Sequence, residues 1–187
     1  MVNFNFISLL EGGRTTKGYV PEPEKSKSGI TIGTGVDLGQ MGETDLERFN
    51  LPEPIKLKLR PYLGKIKQDA VRLLHERPLQ VSDDEAQEID KAVKASSLNR
   101  VAKRYNSSSE TDFDSLPDGV QTVIASVAFQ YGDLASQTPN FWRQVTSGDW
   151  QGAYKNLRNF GDAYKTRRNK EADLLQESWA ESGVNLA

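Results

Sequence analysis

After Ser115-Leu116-Pro117 the chain runs VQTVIASVAFQYG, residues 120–132, and nearly every side chain in it is apolar or small. A helix with one apolar stripe lies on a surface, whereas one that is apolar all round is buried. The run therefore predicts a buried central helix and a chain that is helical over most of its length. Further helices are expected around NFWRQV, DWQGAYKNLRNF and TRRNKEADLLQESW, and helical patterns dominate from about residue 43 onward. PIKLKLRPYLG and KQDAVRLLHER read as short segments punctuated by Pro54, Pro61 and Pro78. Ser82 and Glu85 make an S-x-x-E capping box that opens a long helix. Ile89, Val93, Leu98, Val101 and Tyr105 supply its inward stripe, and the loop NSSSETD ends it. At 187 residues the chain is long enough to bury a real core in one domain, or in one domain of two lobes. No internal repeat or low-complexity linker divides it.

The first forty residues follow a different pattern. Residues 3–11 predict a helix in which Phe4, Ile7 and Glu11 share one stripe, stopped by Gly12-Gly13. Residues 14–37 are rich in Gly, Thr, Ser and Pro, with the polar loop PEPEKSKSG before the extended run ITI. A small β-containing lobe of about residues 12–42 is expected beside a larger helical lobe that takes the remainder and the N-terminal helix. The fold class is α+β and mainly helical.

Charge and composition remove several kinds of function. Twenty-four basic side chains against 26 acidic ones leave a net charge of −2, which gives no general attraction to nucleic acid or to an anionic membrane. Arg100, Lys103 and Arg104, and the stretch from Lys165 to Lys170, concentrate positive charge and are expected to be solvated helix faces. Without cysteine there are neither disulfides nor thiolate metal sites. His75 is the only histidine, sits in RLLHER and reads as a helix-surface residue, so a His-rich metal site has no support. The N-terminal MVNFNFISLLEGG lacks a basic n-region and a long apolar stretch, so neither a signal peptide nor a membrane span is expected.

Two short motifs carry chemistry. Glu11, on the Phe4/Ile7 face, is directed toward the core side of its helix, where desolvation disfavours the charged form of a carboxyl. The glycines behind it let a ligand approach closely, as a general acid at a cleft wall requires. A frayed helix end with Glu11 in solvent fits the spacing equally well. In SGITIGTGVDLGQ, Gly33 and Gly35 flank Thr34 and permit a tight bend, which Thr31 and Asp37 leave six residues apart. TIGTG is not a phosphate loop, because G-K-[ST] and a following βα unit are missing. Alone, it reads as a β-turn.

Taken in order, LLEGG, TIGTGVDLG, VSDDEAQEIDKAV, VIASVAFQYG, NFWRQVTSGDWQGAYKNL and TRRNKEADLL resemble the phage-type lysozymes, most closely their pesticin-like branch of bacterial toxins and endolysins. The resemblance covers nearly the whole chain. It implies a lysozyme-like fold with the active cleft between its lobes, and a muramidase that needs no cofactor or metal. Glu11 resembles the general acid, Asp37 the base that activates water, and Thr31 the residue that holds that water by its hydroxyl. One departure separates the branches: the better-known phage lysozymes carry their aspartate shortly after the glutamate. Here that place falls in GYVPE, where Glu22 and then Glu24 are the nearest acids. Phe129 and Gln130 resemble cleft-lining residues, and Phe141 and Asn156 match sugar-contacting positions, with core packing an equal reading for the two phenylalanines. Trp150, with Tyr154 and Leu157, reads as core. Arg167 or Arg168 resembles the basic partner of the acid glutamate.

The same resemblance implies peptidoglycan glycan strands as substrate and an immunity protein as partner; a monomer is expected, and the charge balance and the N-terminal sequence give no reason to expect nucleic-acid binding or membrane insertion. It further implies synthesis in the bacterial cytoplasm followed by release or delivery to the wall. A lytic transglycosylase, which needs the glutamate but not Asp37, and a silent wall-binding module on the same fold remain the competing readings.

Overall fold

The computed structural model describes residues 1–180. Its chain divides into two compact units, one made of Met1–Leu10 with Ser97 onward, the other of Glu11–Ser96. The unit that holds the sheet is thus wider than the span of about 12–42 expected for it, because three helices and part of a fourth pack on the same core.

In the first unit the apolar run becomes the buried helix its composition predicts. With helices numbered in chain order, it is α6, Asp118–Tyr131, and every residue from Val120 to Ala128 is buried. Packed on it are α1 (Phe4–Leu10), α7 (Leu134–Gln137) and α10 (Lys165–Ala180). Beyond these lie α8 (Pro139–Thr146) and α9 (Trp150–Arg158), α9 packing on α10. Ile7, Phe113, Phe141, Leu157 and Leu175 fill the core around α6. Tyr105 joins them with its hydroxyl donating to the Val145 carbonyl, and burial pushes its ionisation up. Leu157 is buried as expected, while Trp150 and Tyr154 pack half-buried against the same core.

One expectation about this unit fails. Arg168 belongs to a basic stretch expected to be solvated, yet it is buried beside the fully buried Glu171. Arg168, Glu171, Ala172 and Leu175 fall at helical spacing on the inner stripe of α10. The guanidinium is admitted there because each side of it is paired, to Asp162, Glu171 and Gln130.

The second unit has its own core of Ile30, Ile32, Leu38, Leu46, Leu59, Ala70, Ala86 and Ile89. Its antiparallel sheet is ordered β1 (Thr15–Tyr19), β2 (Thr31–Gly33), β3 (Val36–Asp37). Around it lie α2 (Glu43–Arg48), α3 (Glu53–Leu59) and α4 (Lys67–Glu76), where His75 is exposed as expected. Pro54 sits in the first turn of α3, where a missing N–H costs nothing. The long helix α5, Asp83–Asn106, starts in this unit and ends in the first. Its capping box forms as read: Ser82 N donates to Glu85 Oε2 at 2.9 Å and Glu85 N to Ser82 Oγ at 3.1 Å. Lys58, 2.7 Å from the same carboxyl, together with that backbone bond holds Glu85 below the usual carboxylate range. Among the described residues no helix is long and apolar enough to cross a membrane.

Candidate active site

The helix α1 stops at Leu10, so Glu11 is the first residue beyond it, and Gly12 turns the chain at φ +83°. The Glu11 side chain is 16% exposed, which excludes the fully solvated helix end. Lys94 of α5 brings Nζ to 3.0 Å from Glu11 Oε2, an ion pair. Lys94 itself is buried.

The TIGTG segment forms the bend the glycines predict. Ile32 pairs with Val36 and Thr31 with Asp37 across β2 and β3, leaving Gly33-Thr34-Gly35 as the turn. Directly opposed residues of an antiparallel pair point to one face with Cβ atoms about 4.5–5.5 Å apart. Thr31 and Asp37 are therefore neighbours by register. Thr31 is 3% exposed and donates its hydroxyl proton to the Gly29 carbonyl at 3.2 Å, so its oxygen lone pairs remain as acceptors.

Among the described residues, backbone donors hold Asp37. Its Oδ1 accepts from Gly29 N and from Gly39 N, each at 2.9 Å, while Oδ2 takes no hydrogen bond among the described residues. The two donors meet because both are glycines: a Cβ on Gly39 would lie 2.5 Å from Gly29 Cα and 2.6 Å from the Lys65 carbonyl oxygen. One oxygen of the carboxylate is thereby fixed by two backbone amides.

Asp90, one helical turn before Lys94, fastens the turn. Its Oδ1 accepts from Thr34 N at 2.7 Å, and its Oδ2 from the Thr34 hydroxyl at 2.7 Å and from Arg14 Nε at 2.9 Å. Gly33 is required twice over, by φ +62° and because a Cβ there would stand 2.5 Å from Asp90 Oδ1. The sequence reading missed Asp90 and Lys94. A signal was available, since Ala86, Ile89, Asp90, Val93 and Lys94 repeat at i, i+3, i+4, i+7 and i+8. Two charged residues on an otherwise apolar stripe ask for buried partners.

The rival acids sit elsewhere in the second unit. Glu22 is exposed at φ +40° and pairs with Lys25 at 3.5 Å, while Glu24 is exposed and accepts from Gln68.

The remaining site expectations fall in the first unit. Gln130 accepts from Arg168, Asn156 donates to Gln144 at 2.8 Å, and Phe129 stacks on Phe4 at 6.3 Å between ring centroids. Phe141 is 1% exposed and meets Phe160 edge-on at 6.1 Å, the position its core reading describes. Arg167 donates to Glu171 Oε1 at 3.1 Å and to the Ser126 carbonyl at 2.9 Å. Asp162 receives Tyr131 Oη at 2.6 Å and Arg168 Nε at 2.9 Å. Burial pushes the Asp162 carboxyl up, but these donors and the Tyr164 amide outweigh it and hold it below the usual range. Among the described residues no cluster of His, Asp or Glu suits a metal ion.

A small antiparallel sheet in a mainly helical chain, with a glutamate at a helix end and an aspartate where a hairpin closes, describes a lysozyme-like α+β protein. A family model described as pesticin, the bacterial toxin homologue of phage lysozyme, C-terminal part, matches residues 1–151, and the chain belongs to this family. None of the curated proteins compared matches it.

Proposed function

We propose that the protein is a muramidase that cleaves the β-1,4 bond between N-acetylmuramic acid and N-acetylglucosamine in peptidoglycan glycan strands. Glu11 gives its proton to the leaving O4 oxygen. Asp37 Oδ2 takes one proton from a water whose oxygen bonds to the anomeric carbon as the C1–O4 bond breaks, and the Thr31 oxygen accepts a hydrogen bond from the O–H that stays on that water. The observation that carries this reading is the Asp37 carboxylate, fixed through Oδ1 by two glycine amides and opposite Thr31 in the hairpin register. A base that holds water between itself and the sugar inverts the anomeric carbon, so the first product is the α-anomer. Membership in a family of toxin homologues favours delivery to the wall of a bacterium and, with it, an immunity partner.

Turbidity of purified sacculi tests the assignment. Positioned proton transfer contributes on the order of 10²–10⁴-fold, so Glu11→Gln and Asp37→Asn abolish practical lysis while Glu22→Gln and Glu24→Gln keep it. Unchanged lysis by folded Glu11→Gln removes Glu11 from the mechanism, and a dead Glu22→Gln moves the base to the earlier loop. Products ending mainly in anhydro-muramic acid, one water lighter, identify a transglycosylase instead. No lysis by the parent chain leaves a wall-binding module.

A further inference from the structure

Asp90 is 4% exposed and takes no part in the chemistry above. A carboxylate that deep is retained only when it is paired and hydrogen-bonded. All three of its bonds come from two segments far away in sequence. Thr34, which gives two of them, is the middle of the turn whose arms carry Thr31 and Asp37. Arg14, which gives the third, stands three residues after Glu11. The room Gly33 leaves for Oδ1 shows that the turn is shaped to this contact. One turn along the same helix, Lys94 meets Glu11 itself at 3.0 Å.

We propose that Asp90 is a positioning residue: the Arg14–Asp90–Thr34 clasp holds the β2–β3 turn against the segment that leaves Glu11, and so decides whether the cleaved sugar is captured by water. The proposal rests on the reading of Glu11 as acid and Asp37 as base. With the clasp loosened, Thr31 and Asp37 lose their place and water attack slows. The muramic acid's own C6 hydroxyl then competes. Its oxygen bonds to C1 as the C1–O4 bond breaks, O4 takes the Glu11 proton, and the C6 hydroxyl proton returns to Glu11. No water is consumed, and the product carries an anhydro end.

The test uses the full chain on purified sacculi, with kcat, KM and the share of anhydro ends read by liquid chromatography and mass spectrometry. Asp90→Asn keeps the side chain's volume, Thr34→Val removes one bond at constant shape, and Arg14→Gln removes the ion pair. Ser82→Ala weakens the cap of the same helix and serves as the control for lost stability. A misplacement of about 1 Å costs on the order of 10²-fold in rate. Asp90→Asn is expected to lose about that much in kcat with KM nearly unchanged and anhydro ends raised. Thr34→Val and Arg14→Gln move the same way by less, and Ser82→Ala leaves the product ends as they were. Parental kcat and parental ends in folded Thr34→Val and Arg14→Gln overturn the proposal, even where Asp90→Asn does not fold. So does a rise in anhydro ends in Ser82→Ala that equals theirs. If Glu11→Gln still lyses sacculi, the acid reading itself has failed; if it is inactive while the clasp variants match the parent, only the clasp has.

Discussion

Replacing Gly39 by alanine adds one methyl group behind Asp37. Gly39 does not use the left-handed backbone region, so an alanine meets no torsional obstacle there. At such a site Gly→Ala ordinarily stabilises by about 0.4–1 kcal/mol, because the unfolded chain loses freedom. Here the sign reverses. The new Cβ would meet Gly29 Cα at 2.5 Å, the Lys65 carbonyl oxygen at 2.6 Å and Gly29 N at 2.8 Å, all of them backbone that has no rotamer to give. Overpacking of this kind costs about 1–3 kcal/mol. Parting the two strands of chain also lengthens at least one of the bonds to Asp37 Oδ1, and a hydrogen bond to a charged group is worth about 1.5–3 kcal/mol. Together, less the entropic gain, Gly39→Ala destabilises by about 2–5 kcal/mol. With a urea slope near 2 kcal/mol/M, the unfolding midpoint falls by about 1–2.5 M. The same displacement moves the carboxylate, so lysis at constant folded fraction drops on the order of 10²-fold. Urea unfolding followed by far-UV circular dichroism, beside a turbidity assay on sacculi, measures both. A variant as stable and as active as the parent refutes the view that the glycine crossing sets Asp37.

Two further outcomes concern the first unit. Phe141→Ala removes a ring that is 1% exposed and costs about 3–5 kcal/mol, and lysis falls only with the folded fraction; a loss of kcat in protein that stays folded restores the sugar-contacting reading. The Asp162 carboxyl is held below its unfolded value, so its contribution to stability is full above about pH 4 and vanishes as pH falls through the lower folded value. Asp162→Asn therefore lowers stability at neutral pH and flattens the acid limb of a stability–pH profile, and an unchanged slope below pH 4 in that variant sinks the assignment.

Local chemistry made much of this protein readable in one dimension. The capping box at Ser82 and Glu85 forms at its expected place because an N-cap is closed by residues three apart, whatever surrounds it. Most of the run at 120–132, from Val120 to Ala128, is buried because almost no face of it suits water. The bend at Gly33-Thr34-Gly35 followed from glycine positions, while the register that sets Thr31 opposite Asp37 belongs to the paired strands. Glu11 was legible as a helix end, though the choice between solvent and burial was not.

What stayed hidden depends on groups distant in sequence. Nothing in GITIGTGVDLG says that Gly29 and Gly39 cross so closely that both amides reach one oxygen of Asp37, since that crossing is made by packing against the Lys65 carbonyl. The stripe of α5 marks Asp90 and Lys94 as charges in need of partners, but which partners they are, Thr34, Arg14 and Glu11, is decided elsewhere in the chain. The same holds for Arg168, whose charge predicts solvent and whose partners Asp162, Glu171 and Gln130 permit burial. Periodicity and capping act within a few residues and need no partner, so the order and type of the elements are properties of the sequence. Desolvation of a charge is decided by whichever opposite charge or donor the fold brings to it, and that placement is a property of the tertiary structure alone.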